Sequence, residues 1–368
     1  MQNMKIIINV SYLTNGGAER VAADLANGLS KRGHHIIVLT DLQKRVSYQL
    51  DKTVDVRHFN SRRITSCFKS VWEYSRIIKQ ERPDAVLGFG SYQSFLAKAS
   101  QFVSGVKAIV VYTEHNVLER PKGVKFPLRE KFYKFYFSRF CDAMTVLTQA
   151  DKDYAQQRLK NLYVMPNPMS LVPVSTPGVK ENTILAVGRL NVWYVKGFDL
   201  LLKAWGCICH KYADWTLKII GAGNENDEKR LIAFAQDSCC DKQFELLPYT
   251  DNIAPAYQKA SIFALSSRYE GFGLVLTEAM SQGCACIAAD YKGRQGEIIN
   301  NGINGLLCPT ESAEAIANQL ERLIDDEHLR RTLQINAIER SKDFLVESYA
   351  EKWENLLIHL KNKTKKNV

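Results

Sequence analysis

The sequence predicts an α/β protein of two doubly wound domains, each a parallel sheet covered by helices on both faces. Three observations carry that expectation. The chain has 368 residues, too many for one ordinary core and suited to two domains of ~150 to 200 residues. Short apolar runs alternate with amphipathic stretches along most of its length, the pattern of strands feeding crossover helices. Four of the ten prolines (Pro166, Pro168, Pro173, Pro177) fall between residues 164 and 178, where they interrupt the alternation and mark a linker. Domains at 1–165 and 170–345 are therefore expected.

The elements follow in order. Residues 5–10 form a strand-like run that enters a loop, SYLTNGG, and then a helix over 18–32, where Ala18, Val21, Ala22, Leu25 and Leu29 share one face. Gly33 ends that helix, and residues 36–40 form the next strand. Strands at 54–57, 85–88 and 108–113 alternate with helices at about 70–82 and 93–103. After the linker come strands at 183–187, 217–220, 244–247, 262–265 and 285–289, with helices at 198–209, 227–236 and 274–282. A last amphipathic helix covers 349–360.

Hydrophobic residues make up 46% of the chain and charged residues 24%, the balance of a soluble globular protein. No apolar run approaches the ~20 residues of a spanning helix, and the opening MQNMKIIINVSYL lacks the layout of an export signal. A cytoplasmic chain is expected, one that could sit peripherally at the inner face of a membrane. The nine cysteines are odd in number and lack C-x-x-C spacing, so reduced, mostly buried thiols are expected. Charge is uneven: residues 1–175 hold 26 Lys and Arg against 14 Asp and Glu, although the whole chain is only +10. The first half therefore calls for an anionic partner. No nucleic-acid-docking module accompanies that charge, so an anionic membrane surface is preferred and nucleic acid is not expected.

Chemistry is expected at residues 266–280, SSRYEGFGLVLTEAM. An apolar run ends at Ser266, a loop carries Glu270, Gly271 and Gly273, and a helix follows with Glu278 in its first turns. Amides at a helix start point outward into a positive dipole end, and glycines let a phosphate approach, so Gly273, Leu274 and Val275 make an anion site. Glu278 is unsuited to a phosphate but can accept hydrogen bonds from sugar hydroxyls, as an acid does for ribose in dinucleotide folds. Taken singly, each glutamate is better explained as a helix-start carboxylate or a solvated loop residue. Their spacing around G-F-G on a strand, loop and helix is more specific.

Other segments fit the same chemistry. Arg189 and Lys196 leave the carboxyl end of a strand, where two cations can neutralise a diphosphate; two solvated basic residues explain the spacing equally well. Gly16 and Gly17, within N-G-G-A-E-R, form a strand-to-helix turn that could approach an anion or be merely flexible. His115, in T-E-H-N, stands at a strand's carboxyl edge, where a lone histidine is usually structural but one facing a cleft can bond a substrate. Gly221 and Gly223 follow another strand, and such a pair is more often a tight turn. Residues 120–140 (RPKGVKFPLREKFYKFYFSRF) place seven basic residues, among them Lys125, Arg129, Lys131 and Lys134, among seven aromatics with one acid, Glu130. That composition suits a membrane interface or the phosphates of a lipid-linked acceptor, and equally an ordinary packed helix. The one D-x-D, Asp151-Lys152-Asp153, reads as a helix cap.

Together these segments resemble the retaining GT-B glycosyltransferases of family 4. E-G-F-G-L-V-L-T-E-A-M looks like that family's E-x7-E signature, and N-G-G-A-E-R resembles the corresponding loop of its bacterial glycan-assembly members. T-E-H-N is similar to its active-site histidine position, and G-R-L with K-G to its diphosphate clamp, in the family's order over nearly the whole chain. The resemblance implies a GT-B fold of two Rossmann-like domains with an interdomain cleft. It makes 1–165 the acceptor-side domain, with the C-terminal helix 346–368 crossing back, and 170–345 the nucleotide-sugar domain.

The implied reaction moves a hexosyl group from a nucleotide-diphosphate sugar to a glycan or lipid-linked acceptor in surface polysaccharide or glycan assembly. Attack on the same face is implied, with the leaving diphosphate stabilised by Arg189, Lys196 and the helix start, and with no metal or other cofactor. Glu270 would touch the donor sugar, His115 would position it, and Gly16 and Gly17 would face donor phosphates and acceptor. Glu278 would hold the ribose, Gly221 and Gly223 would lie beside the nucleotide, and Tyr249 would lie near the base. Two departures stand out. The gap between Arg189 and Lys196 is long and contains Trp193 and Tyr194, and Gly296 precedes Glu297 where many members carry proline. The competing readings are a GT-B sugar epimerase or phosphorylase, and a non-catalytic two-domain sugar-binding protein.

Overall fold

The computed structural model describes residues 3–14, 16–41, 47–59 and 67–366. The chain falls into two compact units, Met1–Pro168 together with Leu345–Val368, and Met169–Phe344.

The first unit is a seven-stranded parallel sheet of β1 (Lys5–Asn9), β2 (His35–Asp41), β3 (Asp55–Phe59), β4 (Ala85–Phe89), β5 (Ile109–Thr113), β6 (Ala143–Val146) and β7 (Leu162–Val164), ordered β3-β2-β1-β4-β5-β6-β7. Its central strands read KIIIN, AVLGF and IVVYT, apolar without alternation because helices cover both faces of the sheet. Register is fixed through the middle of the sheet, with Ile7 beside both Ile37 and Val86, and Val86 beside Val110. The last helix, Val346–Lys366, belongs to this unit and packs on helix Gly17–Lys31. Gly28 permits the approach, since a Cβ there would come 2.8 Å from that of Ala350. Glu354 on the last helix binds Arg32 and His34, and Lys361 reaches Asp84 at 2.8 Å.

The second unit is a six-stranded parallel sheet of β8 (Glu181–Val187), β9 (Thr216–Gly221), β10 (Phe244–Pro248), β11 (Ala260–Leu265), β12 (Ala285–Asp290) and β13 (Leu306–Pro309), ordered β10-β9-β8-β11-β12-β13. Two doubly wound units are thus the α/β architecture that the alternation predicts. The sequence reading omits β6, β7, β13 and the helices Ala313–Asp325 and Glu327–Ser341. The three strands have four residues or fewer, too short for a period to show. Helix Ala313–Asp325 did carry a signal, with Ile316, Ala317, Leu320 and Leu323 on one buried face behind the Ser312 cap.

All nine cysteines are free thiols, six of them buried. Among the described residues no helix is long and apolar enough to cross a membrane.

Candidate active site

In the second unit the strand order reverses between β8 and β11, so loops leave their carboxyl ends side by side, where open α/β sheets take ligands. After β8 come Gly188, Arg189 and two short helical turns, Leu190–Val192 and Trp193–Lys196. Gly197 then adopts φ 65°, and a Cβ there would come 2.0 Å from the carbonyl oxygen of Ser266. Only glycine lets the two loops touch. Ser266 Oγ donates to Lys196 O at 2.9 Å, and Arg268 N to Val195 O at 2.8 Å. Arg268 also forks onto Asp199 at 2.7 and 2.8 Å and lies 3.8 Å from the centre of the Tyr194 ring. Neither Arg268 nor Asp199 is singled out by the sequence motifs, yet their bidentate pairing fixes the loop between Arg189 and Lys196.

The stitching brings Lys196 to Glu270. Nζ donates to Oε2 at 2.6 Å, with the two side chains 19% and 20% exposed. Ser267 Oγ donates to the same oxygen at 3.2 Å. Arg189 is exposed at the end of β8. Gly273, at φ 90°, leads into helix Leu274–Ser281, whose first amides belong to Leu274 and Val275, both half-buried. Glu278 on that helix is buried, and Tyr257 Oη donates to its Oε2 at 3.1 Å.

Gly221 and Gly223 sit against the Arg189 loop for a steric reason. A Cβ on Gly221 would meet Gly188 O at 1.9 Å, and one on Gly223 would meet Leu190 Cβ at 2.6 Å. Tyr249 is exposed and donates to Asp251 Oδ1 at 2.7 Å. Among the described residues, no group of three or more His, Cys, Asp or Glu side chains is placed to hold a metal ion.

In the first unit, Gly16 precedes helix Gly17–Lys31, and Asn15 lies outside the described residues. The sequence reading puts donor phosphates at this helix start. In the structure the Glu19 carboxylate folds back onto Gly16, where a Cβ would come 1.9 Å from Oε2, a placement the positive helix end favours. Tyr48 Oη donates to Gly16 O at 2.9 Å.

His115 lies just beyond β5 and stacks on Phe89 at the end of β4, ring centroids 4.8 Å apart. Its Nε2 is 3.1 Å from Thr113 Oγ1 and its Nδ1 is 3.3 Å from Asn167 Oδ1. Burial, joined by the Lys134 charge and opposed by the Asn167 contact, pushes its pKa down to about 4. The ring is therefore neutral at pH 7, and a substrate hydroxyl would bond it by replacing Thr113 or Asn167 at a ring nitrogen.

Two sequence expectations need correction here. Lys134 does not join the outward basic residues of 120–140: it is 1% exposed and pairs with Glu114, itself 2% exposed. Glu114 Oε1 accepts from the backbone of His115 at 3.0 Å and of Asn116 at 2.9 Å, so this pair fixes the His115 loop. The D-x-D acid Asp151 is not the helix cap. Thr148 caps helix Gln149–Ala155, while Asp151 accepts from Thr148 Oγ1 at 2.8 Å and from Leu118 N at 2.9 Å.

Two family models match the chain, Glycosyltransferase Family 4 over residues 15–172 and Glycosyl transferases group 1 over residues 172–340. The amylovoran biosynthesis glycosyltransferase AmsD of Erwinia amylovora is 30% identical over 96% of this chain and 99% of its own length. The Campylobacter jejuni GalNAc-alpha-(1->4)-GalNAc-alpha-(1->3)-diNAcBac-PP-undecaprenol alpha-1,4-N-acetyl-D-galactosaminyltransferase is 28% identical over 98% of this chain and 99% of its own. Among solved structures, Anabaena Alr3699/HepE in complex with UDP and glucose matches with a TM-score of 0.83 over 97% of this chain and 100% of that one. Its 19% identity speaks to the fold alone.

Proposed function

The chain belongs to the family 4 type of GT-B glycosyltransferases, and from that premise we propose that it moves a sugar from a nucleotide-diphosphate sugar to a glycan or lipid-linked acceptor, in polysaccharide or glycan assembly, with retention at the anomeric carbon. The observation that carries this reading is the half-buried Lys196–Glu270 pair at the carboxyl ends of β8 and β11, between Arg189 and the helix start after Gly273. A departing diphosphate develops charge that preorganised cations and amides stabilise. Support also comes from the UDP held by HepE and from the PP-undecaprenol acceptor in the Campylobacter relative's name.

In this reading the donor diphosphate takes Lys196 from Glu270, and the released carboxylate turns to the hydroxyls of the donor sugar. Arg189 and the amides of Leu274 and Val275 complete the anion site, so no metal is called for. Glu278 takes the ribose, with Gly221, Gly223 and Tyr249 on the base side. On the first unit, His115 contacts substrate as a neutral hydrogen-bonding group, and Gly16 and Gly17 border the phosphates.

A panel of nucleotide sugars tests the reading. The true donor raises the unfolding temperature by mass action and releases nucleotide only when an acceptor is supplied, with retained configuration in the product by NMR. Turnover of donor without acceptor, as an epimerase would give, or an inverted product overturns it.

A further inference from the structure

One surface of the first unit carries far more exposed apolar side chain than a water-facing helix layer needs. Helix Ser91–Ser104 packs against helix Cys67–Glu81 and also against helix Leu128–Phe135 with the turn Phe137–Phe140. On the first neighbour, Phe68 and Trp72 stand one turn apart, 86% and 61% exposed, and line an apolar groove of about 480 Å³ with Val71 and Val103. On the second, Leu128, Phe132, Tyr136 and Phe140 recur at every fourth position, all exposed, while Tyr133, Lys134 and Phe135 turn inward. Phe102, 84% exposed, closes the central helix. Exposed Lys69, Lys122, Lys125, Lys131 and Arg139 stand among them. The one acid of the 120–140 stretch, Glu130, is engaged by Lys134 and Arg120.

We propose that these three helices form a docking face for an anionic lipid bilayer. Protruding rings suit a deformable headgroup layer, which needs no matching shape, and the surrounding lysines and arginines meet anionic headgroups. The face extends beyond the basic aromatic stretch, because Phe68, Trp72 and Phe102 join it only through the fold. It is also tied to the His115 loop, since the inward side of helix Leu128–Phe135 supplies the Lys134 that pairs with Glu114. A bilayer under this face would hold that loop at a fixed height, a purpose that rests on the proposed lipid-linked acceptor although the docking itself does not.

Trp72 gives a direct probe. Trp205, Trp215 and Trp353 are buried and Trp193 is half-buried. Full-length protein is sedimented with vesicles of phosphatidylcholine alone or mixed with phosphatidylglycerol, and quenched with brominated phosphatidylglycerol. We expect binding to the anionic vesicles only, and quenching that disappears in Trp72→Phe while sedimentation persists. Phe68→Ser combined with Phe132→Ser should lower partition at least ~10-fold with an unchanged unfolding temperature. Lys125→Ser combined with Lys131→Ser should do so at low salt, and the difference should close by ~0.5 M salt. Absence of anionic-vesicle binding overturns the proposal, as does binding indifferent to the phenylalanine pair. Conversion of a self-associated protein to monomer by that pair would assign the face to a second copy, and equally tight binding of single-stranded RNA would assign it to a polyanion; either result also overturns it. No donor or acceptor enters the assay, so its failure leaves the transferase reading standing, and the reverse.

Discussion

The two units each hold a lysine–glutamate pair near the carboxyl end of a sheet, and the two pairs differ in how far they reach solvent. Lys134 and Glu114 are 1% and 2% exposed, and the carboxylate is also bonded to two backbone amides. Lys196 and Glu270 are 19% and 20% exposed, and Ser267 is the other side chain bonded to the same Glu270 oxygen. A buried pair that loses one member leaves a charge with nowhere to go. A half-buried pair can open to a ligand and be solvated meanwhile. Accessibility, rather than residue type or spacing, separates a pair that holds a loop from one that can serve chemistry.

The largest effect should come from breaking the buried pair. Lys134→Ala is expected to cost about 3–5 kcal/mol of stability, read as the shift of a denaturant midpoint at constant slope. The double change Lys134→Met with Glu114→Gln should recover part of it, because the amide oxygen still accepts from the backbone of His115 and Asn116 while no buried charge is left unpaired. A loss below about 1 kcal/mol in the single variant would remove the distinction between the pairs.

The half-buried pair should behave in the reverse way. Lys196→Ala is expected to lower turnover roughly 10²- to 10³-fold while stability changes by no more than about 1 kcal/mol. Parallel loss of folding and activity would make Lys196 a second structural lysine.

His115 extends the comparison to a residue held by the buried pair. His115→Ala should lower turnover roughly 10²-fold, with little change in donor affinity. Its pH signature has a definite sign. The folded pKa of about 4 lies below the ordinary 6.5, so its contribution to stability is complete above pH 6.5 and is lost as pH falls through about 4. His115→Gln should therefore flatten the acid-side fall of the unfolding temperature in that window, and an unchanged slope would count against the half-buried neutral ring.

The smallest expected effect is that of chelation. EDTA should leave turnover unchanged, because Arg189, Lys196 and the helix amides meet the diphosphate charge. Complete loss restored by magnesium or manganese would mean that the charge balance needs an ion.

The fold class was legible because most of the central strands are uninterrupted apolar runs and the helices between them keep one apolar face. What the sequence hid was orientation and partnership at long range. Residues 128–140 alternate aromatics and lysines through little more than two helical turns and a tight turn, so no dominant face shows. Only the fold separates the outward stripe of Leu128, Phe132, Tyr136 and Phe140 from the inward Tyr133, Lys134 and Phe135. The Arg268–Asp199 fork joins residues 69 apart, and Lys196 meets Glu270 across 74; neither distance leaves a local pattern. Gly221 and Gly223 were visible as glycines, but their immediate neighbours, Gly188 and Leu190, were not.

The central claim is that Glu270 occupies Lys196 until a diphosphate takes it, and UDP affinity measured by calorimetry for Lys196→Ala and Glu270→Ala tests it most directly. Lys196→Ala should weaken UDP binding roughly tenfold or more through loss of a charge-assisted contact. Glu270→Ala, which removes the competitor, should bind UDP at least as tightly as the unaltered protein while losing turnover. Equal weakening of UDP binding by the two substitutions would contradict the account.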